Sequence, residues 1–138
     1  LKPIAVFVGN KCSNSFIKTI TEGFEVGYLE IDTMGQLPVD KKEVIFFHPR
    51  AKDMNPPWLT EDRVENFTKF EFPDNAYYVF AADYGDIISD IEFNAPNLVE
   101  HSRWVKIPTK KNFKSLNGHV AAGIVFWEYF KRKGDLTL

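Results

Sequence analysis

Cysteine is nearly absent: Cys12 is the single one in 138 residues. A lone thiol forms no internal disulfide, which fits a reducing compartment. We therefore expect a cytoplasmic protein, or one of another reducing intracellular compartment, in which Cys12 is structural. Long apolar runs are missing too. None approaches the roughly 18 residues of a membrane span, and no charged, apolar, small-residue signal pattern opens the sequence, so no membrane partner is expected. The histidines, His48, His101 and His119, show no metal-ligand spacing with one another or with Cys12, and no metal is expected. No glycines are spaced as a dinucleotide fingerprint or a P-loop, and no Gly-x-Ser-x-Gly elbow occurs. A small Rossmann-like oxidoreductase or a serine hydrolase has nothing here to rest on.

What is present is apolar content of 44%, enough for one globular domain covering residues 1–138 with a sizeable core. The net charge of -2 hides an asymmetry. From residue 101 onward, Arg103, Lys106, Lys110, Lys111, Lys114, Lys131, Arg132 and Lys133 stand against Glu128 and Asp135, giving +6, while the remainder carries -8. Such polarity describes either a basic face that meets a polyanion or lysines that solvate the surface, and charge alone leaves both open.

Apolar runs and turn signals alternate along the chain. Ile4 to Val8, closed by Gly9 and Asn10, has the pattern of a strand buried on both faces. A helix is predicted from Asn14 or Ser15 to about Glu22, capped by Ser13 or Asn14, with Phe16, Ile17 and Ile20 on one face. Further strands are predicted at Val26–Asp32, Val44–Phe47, Tyr77–Phe80 and Arg103–Ile107. Helical segments are expected from Thr60, as cap, to Phe67, as a turn at Ile87–Ile91, and from Leu116 to Lys133. This alternation indicates an α/β fold with a largely parallel sheet flanked by helices. Ligands in such sheets sit beyond the carboxyl ends of the strands, which directs attention to Gly9, His48, Ala81 to Asp83, and the residues from Pro108 onward.

Two of those strand ends carry distinctive stretches. In "FAADYGD", two small residues after a buried strand permit close approach of a ligand or another backbone, and Asp83 and Asp86 serve as turn and cap residues or as chemistry. In "KIPTKKNFKSLNGHVAAGIVFWE", Pro108 withholds a ladder donor and ends the strand. Ser115 or Asn117 then caps a helix in which Val120, Ile124 and Trp127 share a face suited to core packing, and Ala121, Ala122 and Gly123 permit tight approach. Core packing does not account for the four lysines between Lys106 and Lys114.

That last stretch resembles the third motif of the SPOUT superfamily, specifically the TrmH-like RNA ribose methyltransferases, and "YVFAADYGDI" is similar to the second motif. The match covers about residues 77 to 130; "GNKCSNSFIKTI" matches the first motif more loosely. The resemblance implies a parallel α/β domain with a C-terminal trefoil knot, S-adenosylmethionine as cofactor, tRNA or rRNA as partner, and a homodimer formed through the C-terminal helix. By the same resemblance Ala81, Ala82, Asp83, Ile107, Ser115, Leu116 and Asn117 line the adenosine pocket, with Phe47 and His48 as another wall. Asn14 takes the place of the first motif's asparagine. No arginine follows it, and Lys18 is the nearest cation, so Asn14 and Lys18 are the candidate catalytic residues. Arg103, Lys110, Lys111 and Lys114 are the expected RNA contacts. The function implied is methyl transfer to a ribose 2′-hydroxyl, the alternative being a non-catalytic knotted module for RNA binding or dimerisation.

Overall fold

The computed structural model describes residues 2–9, 14–38, 40–47, 55–81, 84–110 and 118–138, with the backbone alone for Asn14 and residues 84–86. Six strands form one parallel sheet: β1 (Ile4–Val8), β2 (Gly27–Ile31), β3 (Glu43–Phe46), β4 (Val64–Asn66), β5 (Ala76–Ala81) and β6 (Arg103–Lys106). Their order across the sheet is β2-β1-β5-β3-β6-β4. Three helices complete the framework: α1 (Asn14–Gly23), α2 (Tyr84–Asn94) and α3 (Gly118–Lys133). All six residues of β5 are buried, as expected of a central strand whose two faces are both covered.

Side chains alternate between two cores because successive strand residues point to opposite faces. On one face, Ala5, Phe7, Ile45, Tyr78, Phe80 and Val105 meet Ile17 and Ile20 of α1 and Ala121, Ala122, Val125, Phe126 and Tyr129 of α3. On the other, Val6, Val8, Phe46, Val79 and Trp104 meet Ile87, Ile88 and Ile91 of α2, with Met34, Leu37 and Leu98 from short 3-10 turns. The aromatic content is concentrated on the first face. There Phe47 stacks on Phe80 at 5.4 Å, Tyr78 on Phe126 at 5.6 Å, and Phe72 meets Tyr129 edge-on at 6.1 Å.

Three expectations change. The segment from Thr60 to Phe67 is not a helix: Glu61–Arg63 is a 3-10 turn, Val64–Asn66 is the edge strand β4, and Phe67–Lys69 is a second 3-10 turn. So short a helix gains little by itself, whereas pairing with β6 satisfies the backbone and Arg63 fixes the approach by donating to the carbonyls of Trp58, Val99 and Ser102. The turn expected at Ile87–Ile91 is the full helix α2. In α3 the core stripe is Gly118, Ala121, Ala122, Val125, Phe126 and Tyr129, while Val120 and Trp127 are half exposed at 46% and 50%. Small Ala121 and Ala122 bring the helix close to the sheet, and Phe126 and Tyr129 fill the space that remains. Leu116 and Asn117, expected to start this helix, lie outside the described residues.

The far end of α3 is fastened through Asp74, which accepts a hydrogen bond from the buried Tyr129 hydroxyl and an ion pair from Lys133 at 2.9 Å. These partners, Tyr129 first, hold the Asp74 carboxyl below the usual carboxylate range, while burial pushes the Tyr129 hydroxyl up. A depressed folded-state pKa contributes stability above the unfolded value of 3.8 that is lost as pH falls through the folded one. Asp74→Asn should therefore lower the melting temperature at neutral pH and flatten its decline below about pH 4; an unchanged acid limb would remove Asp74 from that role.

Candidate active site

In a parallel sheet the carboxyl ends of all strands share one side, and here β5, β3 and β6 are neighbours. Ala81, Phe47 and Ile107 therefore stand at three adjacent strand ends, as the sequence placed them. Ala81 is 6% exposed and Phe47 4%, while Ile107 is partly buried against the core. The Phe47 ring points inward: it stacks on Phe80 and meets Phe70 edge-on at 6.4 Å. Any wall that Phe47 offers a ligand is thus made by its backbone.

The start of α3 is pressed against the end of β5. A Cβ placed on Gly118 would lie 2.8 Å from the Ala81 carbonyl oxygen and 3.3 Å from its carbon, closer than side-chain carbons approach backbone. Gly118, directly after the expected Ser-Leu-Asn helix start, is thus the glycine that the packing requires. Sequence reasoning had given close approach to Ala121, Ala122 and Gly123. The two alanines do pack within the chain, fully buried, but a Cβ on Gly123 would meet nothing within 4 Å. A glycine directly after a helix start, opposite a small residue at a strand end, was the signal available.

A second junction joins α1 to α3. Phe16, in the first turns of α1, stacks on His119 with centroids 4.2 Å apart and planes within 4°. The stretch bearing Asn14 and the one bearing Gly118 are thereby neighbours, and Lys18 stands exposed on α1. The side chain of Asn14 and the whole of His48, Ala82, Asp83, Lys111, Lys114, Ser115, Leu116 and Asn117 lie outside the described residues.

Beyond β6 the ends of β4 and β6 enclose a cleft of about 460 Å³, lined by Val64, Glu65, Asn66, Lys106, Pro108, Thr109 and Lys110. Lys110 is exposed on it. Arg103 is engaged elsewhere. Its guanidinium clasps both Glu65 oxygens, at 2.9 and 2.7 Å, reaches Glu43 at 3.3 Å, and lies over the Phe70 ring at 4.7 Å. Such a two-pronged pair is geometrically specific and orients β4 beside β6. Among the described residues no group of three or more His, Cys, Asp or Glu is placed to hold a metal ion, and no helix is long and apolar enough to cross a membrane.

These features define a three-layer α/β fold in which strand ends and the start of a helix converge on one side of a parallel sheet. Solved structures share that architecture. One, from work on the 2-OH methylation of C/U34 on tRNA, matches over 96% of this chain and 91% of its own, with a TM-score of 0.62 and 12% identity. Another, a Porphyromonas gingivalis protein assigned to the TrmH family of RNA methyltransferases, matches over 96% of this chain with a TM-score of 0.57 and 11% identity; the present chain spans 61% of its length. At these identities the likeness is one of fold, and it agrees with the resemblance read from the third motif. No protein-family model and no curated protein matches the sequence.

The two glycines of α3 give opposite expectations. Gly118→Ala sets a methyl group against an immovable carbonyl and should cost about 1–3 kcal/mol in urea unfolding. Gly123→Ala should leave the fold at least as stable, since alanine favours helix over glycine by roughly 1 kcal/mol. Equal stabilities would show that the contact at Ala81 does not constrain the helix.

Proposed function

We propose that the protein is an S-adenosylmethionine-dependent RNA methyltransferase acting on a ribose 2′-hydroxyl of tRNA or rRNA. The observation that carries this is the meeting of the second-motif strand end with the third-motif helix start, Ala81 against Gly118, in a fold shared with structures tied to that chemistry. The path of the chain supports a C-terminal trefoil knot within one domain. β6 lies between β3 and β4 while Gly118 at the start of α3 packs on β5, so Lys106 and Gly118 stand on either side of β3.

The adjacent strand ends suit S-adenosylmethionine, since Ala81 brings a small, backbone-rich edge next to the start of α3. In this reading Ala81 to Asp83, Ile107 and Ser115 to Asn117 hold the adenosine largely through backbone groups, and Phe47 with His48 closes another side. When bound, the cofactor supplies an electrophilic methyl group. The chain supplies orientation, which accounts for a large share of such rate enhancements. Asn14 positions the ribose by hydrogen bonding, and Lys18, exposed one turn further along α1, steers a phosphate as a point charge.

A homodimer through α3 is supported by the apolar surface that the core leaves uncovered. Val120, Gly123 and Trp127 recur at helical spacing on its outer side, with Val120 and Trp127 half exposed. Gly123, which no described residue of another element crowds, lets a second helix approach.

Total RNA incubated with methyl-labelled S-adenosylmethionine and digested to nucleosides should yield label on a 2′-O-methylated nucleoside. Label on a base would overturn the ribose assignment, and a folded protein that shows no cofactor binding by calorimetry would point to the non-catalytic module. Trp127→Glu should give a folded monomer in sedimentation equilibrium where the wild type is a dimer.

A further inference from the structure

α1 and α3 begin on the same side of the sheet, and one contact ties their first turns together. Phe16 is the third residue of α1 and His119 the second of α3. Their rings overlap face to face with centroids 4.2 Å apart, closer than the Phe46–Trp104 stack inside the core at 4.6 Å.

Burial does not account for this pair. Phe16 is 48% exposed, and His119 is only partly covered. The grip of α1 on the sheet comes from Ile17 and Ile20, both buried in the core that lies between sheet and helices. Those two press the helix down, whereas the ring pair faces the neighbouring helix and sets the rotation of α1 about its own axis. What the rings join is the two halves of the proposed site. On α1, Phe16 stands between Asn14 and Lys18, which are four residues apart and share a face of the helix. On α3, His119 directly follows Gly118, whose backbone rests on the Ala81 carbonyl.

We propose that Phe16 and His119 are positioning residues for methyl transfer: ring against ring, they hold the first turn of α1 at a fixed angle to the edge formed by Ala81 and Gly118. Groups carried on α1 and a cofactor seated at that edge then keep one relative geometry. The role rests on the reading of the protein as an S-adenosylmethionine-dependent RNA methyltransferase, and it requires neither ring to touch a reactant. Misalignment of two reactants slows their reaction far more than it weakens the binding of either one.

The test measures the maximal rate and the half-saturating concentration of total RNA with labelled S-adenosylmethionine, alongside cofactor affinity by calorimetry and the melting temperature. Phe16→Ala and His119→Ala should each lower the maximal rate by roughly ten- to a hundredfold. Cofactor affinity and RNA half-saturation should stay within about twofold of the wild type. The double variant should be no slower than the slower single one, because a stack already broken is not lost twice. His119→Phe keeps the stack while removing both ring nitrogens, and should retain most of the rate. Should Phe16→Ala fail to fold, Phe16→Leu keeps the apolar bulk without a ring and should show the same loss.

Other results overturn the pair's role in different ways. A lower melting temperature with an unchanged rate below it would make the stack purely structural. Losses that multiply in the double variant would mean that the rings act separately. His119→Phe as slow as His119→Ala would make the imidazole a chemical group, and weakened cofactor binding would make it a wall of the pocket. A raised half-saturation at unchanged maximal rate would make Phe16 a direct RNA contact. A wild type that methylates no RNA ends the enzyme reading as well, whereas an active wild type matched by its variants ends the ring-pair proposal alone.

Discussion

The placement of everything near the candidate site depends on one contact, the backbone of Gly118 against the Ala81 carbonyl. It sets where α3 begins relative to β5. Because β5 and β6 are separated in the sheet by β3, it also sets Gly118 and the end of β6 on either side of that strand. The Phe16–His119 stack then fixes α1 to the same corner. Three stretches far apart in sequence are thereby held at one point without a disulfide. Backbone packed on backbone is stiff, and a site that must align two reactants benefits from walls that do not yield.

Arginine and lysine divide the basic work in this chain. Arg63 and Arg132 are turned to carbonyl groups, Arg132 donating to Phe67, Thr68 and Phe70 while it lies over the Phe72 ring. Arg103 is turned to carboxylates. Each uses the planar fork to brace irregular segments that have no helix or ladder of their own, including the run of short turns around β4. Lys18 and Lys110 remain on the surface, suited to mobile polyanions because an ammonium group on a long stem adapts to many geometries.

Much of the fold was legible because β1, β3 and β5 are largely covered on both faces and read as apolar runs, and because α1 has a clear amphipathic pattern. β4 was not legible, since its strand character comes from β6, almost forty residues later, and from Arg63 reaching carbonyls around residue 100. Periodicity in α3 admitted more than one stripe. Val120, Ile124 and Trp127 looked like the core side, yet tight approach to the sheet selects the face with the smallest residues, Gly118, Ala121 and Ala122. Of the strand ends to which the α/β rule pointed, Ala81 closes β5 as expected, while Phe47 and Ile107, named by the family resemblance, follow the last residues of β3 and β6. The part played by Arg103 was not legible, because a basic residue in sequence gives no sign of which carboxylates its partner strands will bring.

The strand order also has a temporal meaning. β5 enters the sheet between β1 and β3, and β6 enters between β3 and β4, so each of the last two strands occupies a gap between strands made before it. During synthesis β4 has no sheet partner until Arg103–Lys106 emerges, and β1 and β3 cannot be joined until Ala76–Ala81 does. Assembly of the sheet therefore waits for the C-terminal half of the chain. Contacts so distant in sequence form slowly, and the waiting edges are open to foreign strands. A nascent chain arrested before residue 103 would expose an unpaired β4 and the apolar face that α3 covers, the condition in which a chaperone would find it.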